Sequence, residues 1–480
     1  MASPEEILTR LKTLRSNDAP THGGRVLSYV YDSGLAELDS LAASAMELVQ
    51  PINGLDPTTF TSVATMEREV IEFARKILHG DQNTVGTITS GGTESCMLAV
   101  KRARTNFRGT GTPKILAPAT VHAAFHKAAQ YFGLELDLVP VEENGEVHAA
   151  RLIERIDHNT ALVVISAPAY PYATLDPVPE IAAAASAKGV ECHVDACIGG
   201  WVLPFWPHLP HWDLRVPGVT SISADLHKYG YAPKGISVLL TQDRDIQRSQ
   251  YFATTNWPGY PVVNSTLLGS KSVAPLAAAW AIIDYLGEDG FSALADSMFR
   301  STGRLLEEIS SIAGLKVLGT PTGPLFAVMQ DDSCAPEHRV DPHLWADQLA
   351  TLGWHAQLQP AFRQSDATRM PRTTHLTITP VTESSLEELC TAMTDAAERV
   401  RGVVSINPAE ALSALGLQEL PTLDSRTAQD LLMRLGLGDN SAGLSQAMAP
   451  VMALIEALPS ATSQRLLIEL MARLIEPQDL

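Results

Sequence analysis

The sequence predicts an α/β protein: a large domain built on a mostly parallel, twisted sheet covered by helices, then a smaller α+β C-terminal domain. Two observations carry this. From about residue 55 to 290, short apolar runs alternate with stretches of helical pattern. From 291 to 400 the order becomes helix, strand, strand, helix, strand, helix. The expected division is a helical segment at 1–54, the large domain at 55–290, the small domain at 291–400 and a helical tail at 401–480.

The first 50 residues read as helix, Gly-Gly turn, helix, with Ile7, Leu8, Leu11 and Leu14 on one apolar face. Strands are expected at Lys114–Ala117, Leu134–Val141, Ala161–Ser166, Val190–Val194, Thr220–Ser223 and Ser237–Thr241. Helices are expected between several of them, at Thr93–Asn106, Val121–Tyr131, Ala149–Ile156 and Pro179–Lys188. Ligands in such sheets bind beyond the carboxyl ends of the strands. Leu276–Gly290 reads as a long helix leading out of the domain. The small domain should hold strands at Leu315–Leu318, Leu325–Met329 and His375–Thr379. The tail is rich in Leu, Ala and Met, with turns at Asn407-Pro408, Gly438–Asn440 and Pro459. It carries no catalytic signature, so packing against the domain or a second subunit is its expected use.

The chain has 480 residues, 45% hydrophobic and 19% charged, which is a soluble composition. Its net charge of −19 repels nucleic acid and anionic lipid, so neither is an expected partner. Five scattered cysteines without a C-x-x-C pair argue against a zinc site or a disulfide framework. The opening residues lack the apolar core of a signal peptide. The longest apolar run, Val273–Ile283, is too short to span a bilayer. A soluble, cytoplasmic protein without membrane insertion is expected.

Chemistry concentrates at Lys228, just after a strand, and Asp195, at a strand end 33 residues upstream. Pyridoxal phosphate (PLP) needs this pair. A lysine amine forms a Schiff base with the cofactor aldehyde. A carboxylate keeps the pyridine nitrogen protonated, and the ring becomes an electron sink. Asp195 could also cap the turn at Gly199-Gly200, but a buried carboxylate is costly without a partner. Thr89-Ser90-Gly91-Gly92-Thr93-Glu94-Ser95 leaves a short strand and opens a helix. Glycines admit an anion to the backbone, and the helix N-terminus attracts it. Gly92, Thr93 and Glu94 are the candidate N–H donors, with the hydroxyls of Thr93 and Ser95 beside them. The same pattern also fits a plain helix cap.

His122, at a helix start, could stack on a flat ring or sit in the core. His126 lies one turn on, but no third ligand accompanies the two, and no metal is expected. Tyr170 and Tyr172, in a proline-laden loop after a strand, are both candidate acid/base groups. Lys234 could neutralise an anionic substrate group, or be a surface lysine in a turn.

Together Thr89–Ser95, His122–Ala129, His193–Gly200, Ser221–Gly235 and Tyr251–Gly259 resemble the sphingosine-1-phosphate lyase branch of the group II PLP-dependent decarboxylases. The run Ser223–Gly235 is the most specific part. The resemblance covers roughly residues 20–400. It implies fold-type I of the PLP-dependent transferases and a homodimer with shared active sites. It implies that Lys228 bonds the cofactor, Asp195 binds its pyridine nitrogen and His122 stacks on its ring. Gly92, Thr93 and His227 would contact its phosphate, with Ser223 in the same cofactor-binding run. For the substrate phosphate it points to Tyr31, Lys234 and Ser270. Where the family has a substrate-facing histidine, this chain has Asp56, in Leu55-Asp56-Pro57-Thr58. An aspartate there would repel a phosphate dianion.

The activity this implies is a carbon–carbon lyase that cleaves a β-hydroxyamine by retro-aldol chemistry, with a small amine or amino acid as substrate. The alternative is an L-amino-acid decarboxylase on the same scaffold; the Tyr-Gly-Tyr-Ala-Pro-Lys run at 229–234 favours the lyase. A non-enzymatic binding scaffold is a third reading, which the intact Lys228 and Asp195 disfavour.

Overall fold

A computed structural model describes residues 2–414, 424–434 and 447–477. Seven strands form the large sheet: β1 (Val85–Thr89), β2 (Lys114–Pro118), β3 (Glu135–Val139), β4 (Thr160–Ser166), β5 (Glu191–Asp195), β6 (Ser221–Ala224) and β7 (Ser237–Thr241). Their order is β1-β7-β6-β5-β4-β2-β3. From β3 to β6 all neighbours are parallel, and only β7 runs against the rest. The central strands β2, β4, β6 and β7 are buried along their whole length, because helices cover both faces. This explains the apolar runs within β2, β4 and β7. Expected strands agree with these within a residue or two, β3 included. The apolar run Leu134–Val141 pairs only over Glu135–Val139, since Pro140 has no N–H for the ladder.

The helix leaving the large domain runs Ala274–Ser311, far beyond Gly290. It breaks direction at Gly287 (φ 53°, ψ −170°), a conformation only glycine adopts without strain. Both domains therefore share one long helical element. The small domain carries an antiparallel sheet in the order Leu315–Val317, Leu325–Gln330, Thr373–Thr377, Gln357–Gln359. The last of these was not legible in the sequence, since its two glutamines give no apolar pattern. Helices Pro342–Thr351 and Leu386–Val400 pack on this sheet around buried Trp345, Leu349 and Met393.

At the N-terminus, helix Pro4–Arg15 starts with a capping box between Ser3 and Glu6. Its apolar face is bare: Ile7, Leu8, Leu11 and Leu14 are 52 to 63% exposed. In the tail, helices Pro408–Ala414, Ser425–Arg434, Ala449–Ala457 and Ser460–Leu474 are described. The turn expected at Gly438–Asn440 lies outside the described residues. Among the described residues no helix is long and apolar enough to cross a membrane.

Candidate active site

The carboxyl ends of β4, β5 and β6 open into a cavity of about 430 Å³. Its lining includes His122, Asp195, Lys228, Tyr31 and Tyr170. Thus residues spread over two hundred positions meet at one sheet edge.

Lys228 lies in the turn after β6, and its Nζ is 2.9 Å from Asp225 Oδ2. Burial disfavours the ammonium, but Asp225, Cys197 and Tyr31 outweigh it and hold the lysine well above its ordinary range. Asp195 ends β5 and is 7% exposed. Burial raises its carboxyl, yet His122, Lys228 and the Cys197 N–H prevail and keep it below the usual carboxylate range. Its Oδ1 accepts the Cys197 N–H at 3.1 Å and the Ser223 hydroxyl at 3.5 Å. Behind it, His193 sits between the hydroxyls of Ser221 (2.8 Å) and Ser223 (3.1 Å). Burial pushes that imidazole down to about 3, so it is neutral. Buried Arg102 reaches Ser221 Oγ at 2.9 Å and Glu191 at 2.9 Å. A continuous buried network on the same face of the sheet therefore orients Asp195 from further back along β5 and β6.

The Gly-rich loop delivers the helix Gly92–Asn106 to this end of the sheet. A Cβ at Gly92 would meet both Asp225 oxygens, at 2.6 and 2.7 Å, and Cys197 Sγ at 2.7 Å. Only glycine fits there. Gly91 has φ +147° and lies against the His227 ring. His227 Nδ1 accepts the Ile236 N–H at 3.3 Å, and its Nε2 is 3.5 Å from Asp225 Oδ2. Gly92, Thr93 and His227 thus flank one helix N-terminus, whose first N–H groups lack intrahelical partners. Glu94, one of the candidate N–H donors, also uses its carboxylate: it accepts from Ser90 N–H (2.6 Å) and Leu267 N–H (2.8 Å), tying the loop to a neighbouring segment.

Of the two tyrosines, Tyr170 lines the cavity, stacked on His375 at 4.3 Å. Burial raises its phenol far above the ordinary value. Tyr172 is buried beside Gly145 and does not line the cavity. Lys234 Nζ sits 4.6 Å over the Tyr31 ring and donates to His227 O at 3.0 Å. Burial, then Lys228, pushes its ammonium down to about 8.

Asp56 and Ser270 do not line this cavity. The Asp56 carboxylate accepts from the Thr58 and Thr59 hydroxyls, which hold it down at about 2. Its loop meets Ser270, where Asn53 Nδ2 donates to Ser270 Oγ at 3.1 Å.

Sequence reasoning missed Asp225, although it stands three residues before Lys228, a spacing that suits a turn contact. It also missed the wall formed by Gln357, Leu358, Gln359 and Pro360. No motif marks that wall. Cys96, Asp195 and Cys197 form a further cluster that spacing could not signal, with ligand atoms within 4.8 Å of one another.

These residues fit PLP. A buried carboxylate can face a pyridinium, an amine is at hand for the aldehyde, and a glycine-bounded helix N-terminus suits a phosphate.

Comparison with known proteins agrees. The "Pyridoxal-dependent decarboxylase conserved domain" matches residues 29–313, and "Pyridoxal-dependent enzyme, C-terminal putative HTH domain" matches 407–473. Sphingosine-1-phosphate lyase 1 of Rattus norvegicus is 34% identical over 386 residues, 79% of this chain and 65% of that protein. The lyase of Dictyostelium discoideum is 34% identical over 78% of this chain and 69% of its own length. This chain thus spans about two thirds of such relatives. The structure of Burkholderia pseudomallei sphingosine-1-phosphate lyase superposes with a TM-score of 0.77 at 31% identity, covering 88% of this chain and 96% of that one. Glutamate decarboxylase of Lactobacillus brevis, at 19% identity and a TM-score of 0.73, shares the fold.

Proposed function

This chain belongs to the pyridoxal-dependent decarboxylase family, and from that premise we propose that it is a PLP-dependent carbon–carbon lyase acting on a phosphorylated long-chain β-hydroxyamine. The observation that carries the reading is the convergence of Lys228, Asp195, His122 and Tyr170 on one cavity. The sphingosine-1-phosphate lyases among its relatives support the substrate class.

When bound, PLP supplies an aldehyde that condenses with amines and a ring that takes up the electron pair of the breaking bond. Lys228 would be the amine that bonds it. Asp195, held anionic, would keep a proton on the ring nitrogen. His122 would stack on the ring, and Gly92, Thr93 and His227 would hold the phosphate. Tyr170 is the acid/base we assign, since Tyr172 lies off the cavity. Its phenol stays protonated at neutral pH, so its first task is to deliver a proton to the carbon left when the aldehyde departs. The β-hydroxyl proton goes to a base among the cavity groups and is returned to the Tyr170 phenolate before the next turnover. Lys234 beside Tyr31 suits an anionic group on the substrate.

We take the working form to be a cytoplasmic homodimer. Phe252, Trp257, Tyr260 and Val263 expose an apolar surface around a two-stranded hairpin, Phe252–Thr254 with Val262–Asn264. The segments that carry Asp56 and Ser270 meet through Asn53 outside their own chain's cavity, where a second subunit could receive them. The domain division at 54, 290 and 400 is retained as a proposal.

A product assay decides the chemistry. Incubation with sphingosine-1-phosphate should yield a long-chain aldehyde and phosphoethanolamine. Release of carbon dioxide from amino acids, without aldehyde from β-hydroxyamines, would replace the lyase by a decarboxylase.

A further inference from the structure

The wall Gln357–Pro360 is an edge strand and its exit. Strand Gln357–Gln359 pairs on one side only, with Thr373–Thr377. Edge strands are the least restrained part of a sheet, and Pro360 has no N–H to fix the chain as it leaves. The first backbone donor beyond it is Ala361. That N–H donates to Glu456 Oε1 at 3.1 Å.

Glu456 comes from the tail helix Ala449–Ala457, and its side chain is 1% exposed. The same carboxylate takes Arg372 Nε at 2.7 Å and Arg369 Nη2 at 3.2 Å. Arg372 continues to Asp341 Oδ2 (3.2 Å) and Ile406 O (2.9 Å). A buried carboxylate persists when it is paired in this way. On the other side of Pro360, Gln359 O bonds His343 Nε2 at 2.9 Å. His343 lies on helix Pro342–Thr351, and Asp347 of that helix accepts the N–H groups of Met448 (2.8 Å) and Ala449 (3.0 Å). Asp347 therefore caps the helix that carries Glu456. Pro360 is pinned from both flanks, and one of the two pins belongs to the tail.

We propose that the C-terminal helical unit clamps the substrate-cavity wall, with Glu456 as the positioning residue that fixes Gln357–Ala361. It touches neither cofactor nor substrate and acts through the Ala361 backbone. The idea rests on the lyase reading only in taking this cavity as the substrate's.

The test uses the full-length, PLP-loaded protein as parent, Glu456→Ala, Glu456→Gln and Arg369→Ala. Glu456→Ala should raise KM about tenfold at near-parent kcat and leave the cofactor absorption unchanged. Hydrogen exchange of peptides covering 357–361 should speed up in that variant, while exchange elsewhere in the large domain stays the same. Glu456→Gln keeps an acceptor for the Ala361 N–H and should recover most of the KM. Arg369→Ala, which leaves that bond intact, should behave as the parent. Parent-like KM and parent-like exchange at 357–361 in Glu456→Ala would overturn the clamp. So would general loss of cofactor and protection in both Glu456 variants, since Glu456 would then serve stability alone. An inactive parent would sink the lyase reading, and the exchange data would still decide the clamp.

Discussion

Gly92 offers the sharpest test of the site's packing. Gly92→Ala places a methyl 2.6 and 2.7 Å from the Asp225 oxygens and 2.7 Å from Cys197 Sγ. Ordinary contact needs more than 3 Å, so something must move by roughly half an ångström. Neither neighbour is the loose end of a long side chain. Asp225 is 2% exposed and tied to Lys228, and Cys197 is buried against Ser223. Overpacking of this kind costs about 1–3 kcal/mol. Because the displaced carboxylate is the one that seats Lys228, the cost should fall on cofactor binding. That range corresponds to roughly 5- to 150-fold weaker PLP affinity. The assay is titration of the apoprotein with PLP, followed by the visible absorption of the lysine-bound cofactor. Gly303→Ala is the control: Gly303 is helical with nothing within 4 Å of its Cβ position. That change should stabilise the fold by up to about 1 kcal/mol and leave PLP affinity alone. Parent-like affinity and melting temperature in Gly92→Ala would refute the reasoning, because the loop would then have room to spare.

Three further outcomes are expected. Lys228→Ala should lose both the visible absorption and the activity, and borohydride reduction of the parent should label Lys228; label on another lysine would reassign the site. Asp195→Asn should retain cofactor but lower turnover by at least about a hundredfold, because an amide cannot hold the ring nitrogen protonated; steady-state kinetics with near-normal kcat would remove Asp195 from the mechanism. Lys234 titrates at about 8, depressed by burial and then by Lys228, so it is a cation below that pH and neutral above it. The kcat/KM for a phosphorylated substrate should therefore fall as pH rises through 8, and Lys234→Met should flatten that limb; an unchanged profile in the variant would assign the limb to another group.

The large domain was legible because its strands are buried on both faces. Runs such as Ala161–Ile165 and Val238–Leu240 carry apolar residues on both faces, and the helices between them supply the alternation. Lys228, Asp195 and His122 were legible because chemistry dictates both the residue type and its place at a strand end or helix start. The strand Gln357–Gln359 was not, since one leucine between two glutamines is too short a pattern to read as a strand. The helix from Ala274 was read too short because Gly287 and Gly290 look like a stop. The chain spends Gly287 on a change of direction instead.

The sequence by itself determined the α/β order of elements and the cofactor, and nominated Lys228, Asp195 and His122, which share one cavity, since those follow from local pattern and from reaction chemistry. Tertiary structure alone decided which tyrosine faces the cavity, that Asp225 seats Lys228, that Arg102 and His193 back Asp195 from behind, and that Glu456 reaches the cavity wall. Each of these is a contact, most of them between segments far apart in the chain. A polar residue's sequence neighbours say nothing of the partner it will meet. Only packing, which leaves a buried charge no alternative to that partner, assigns it.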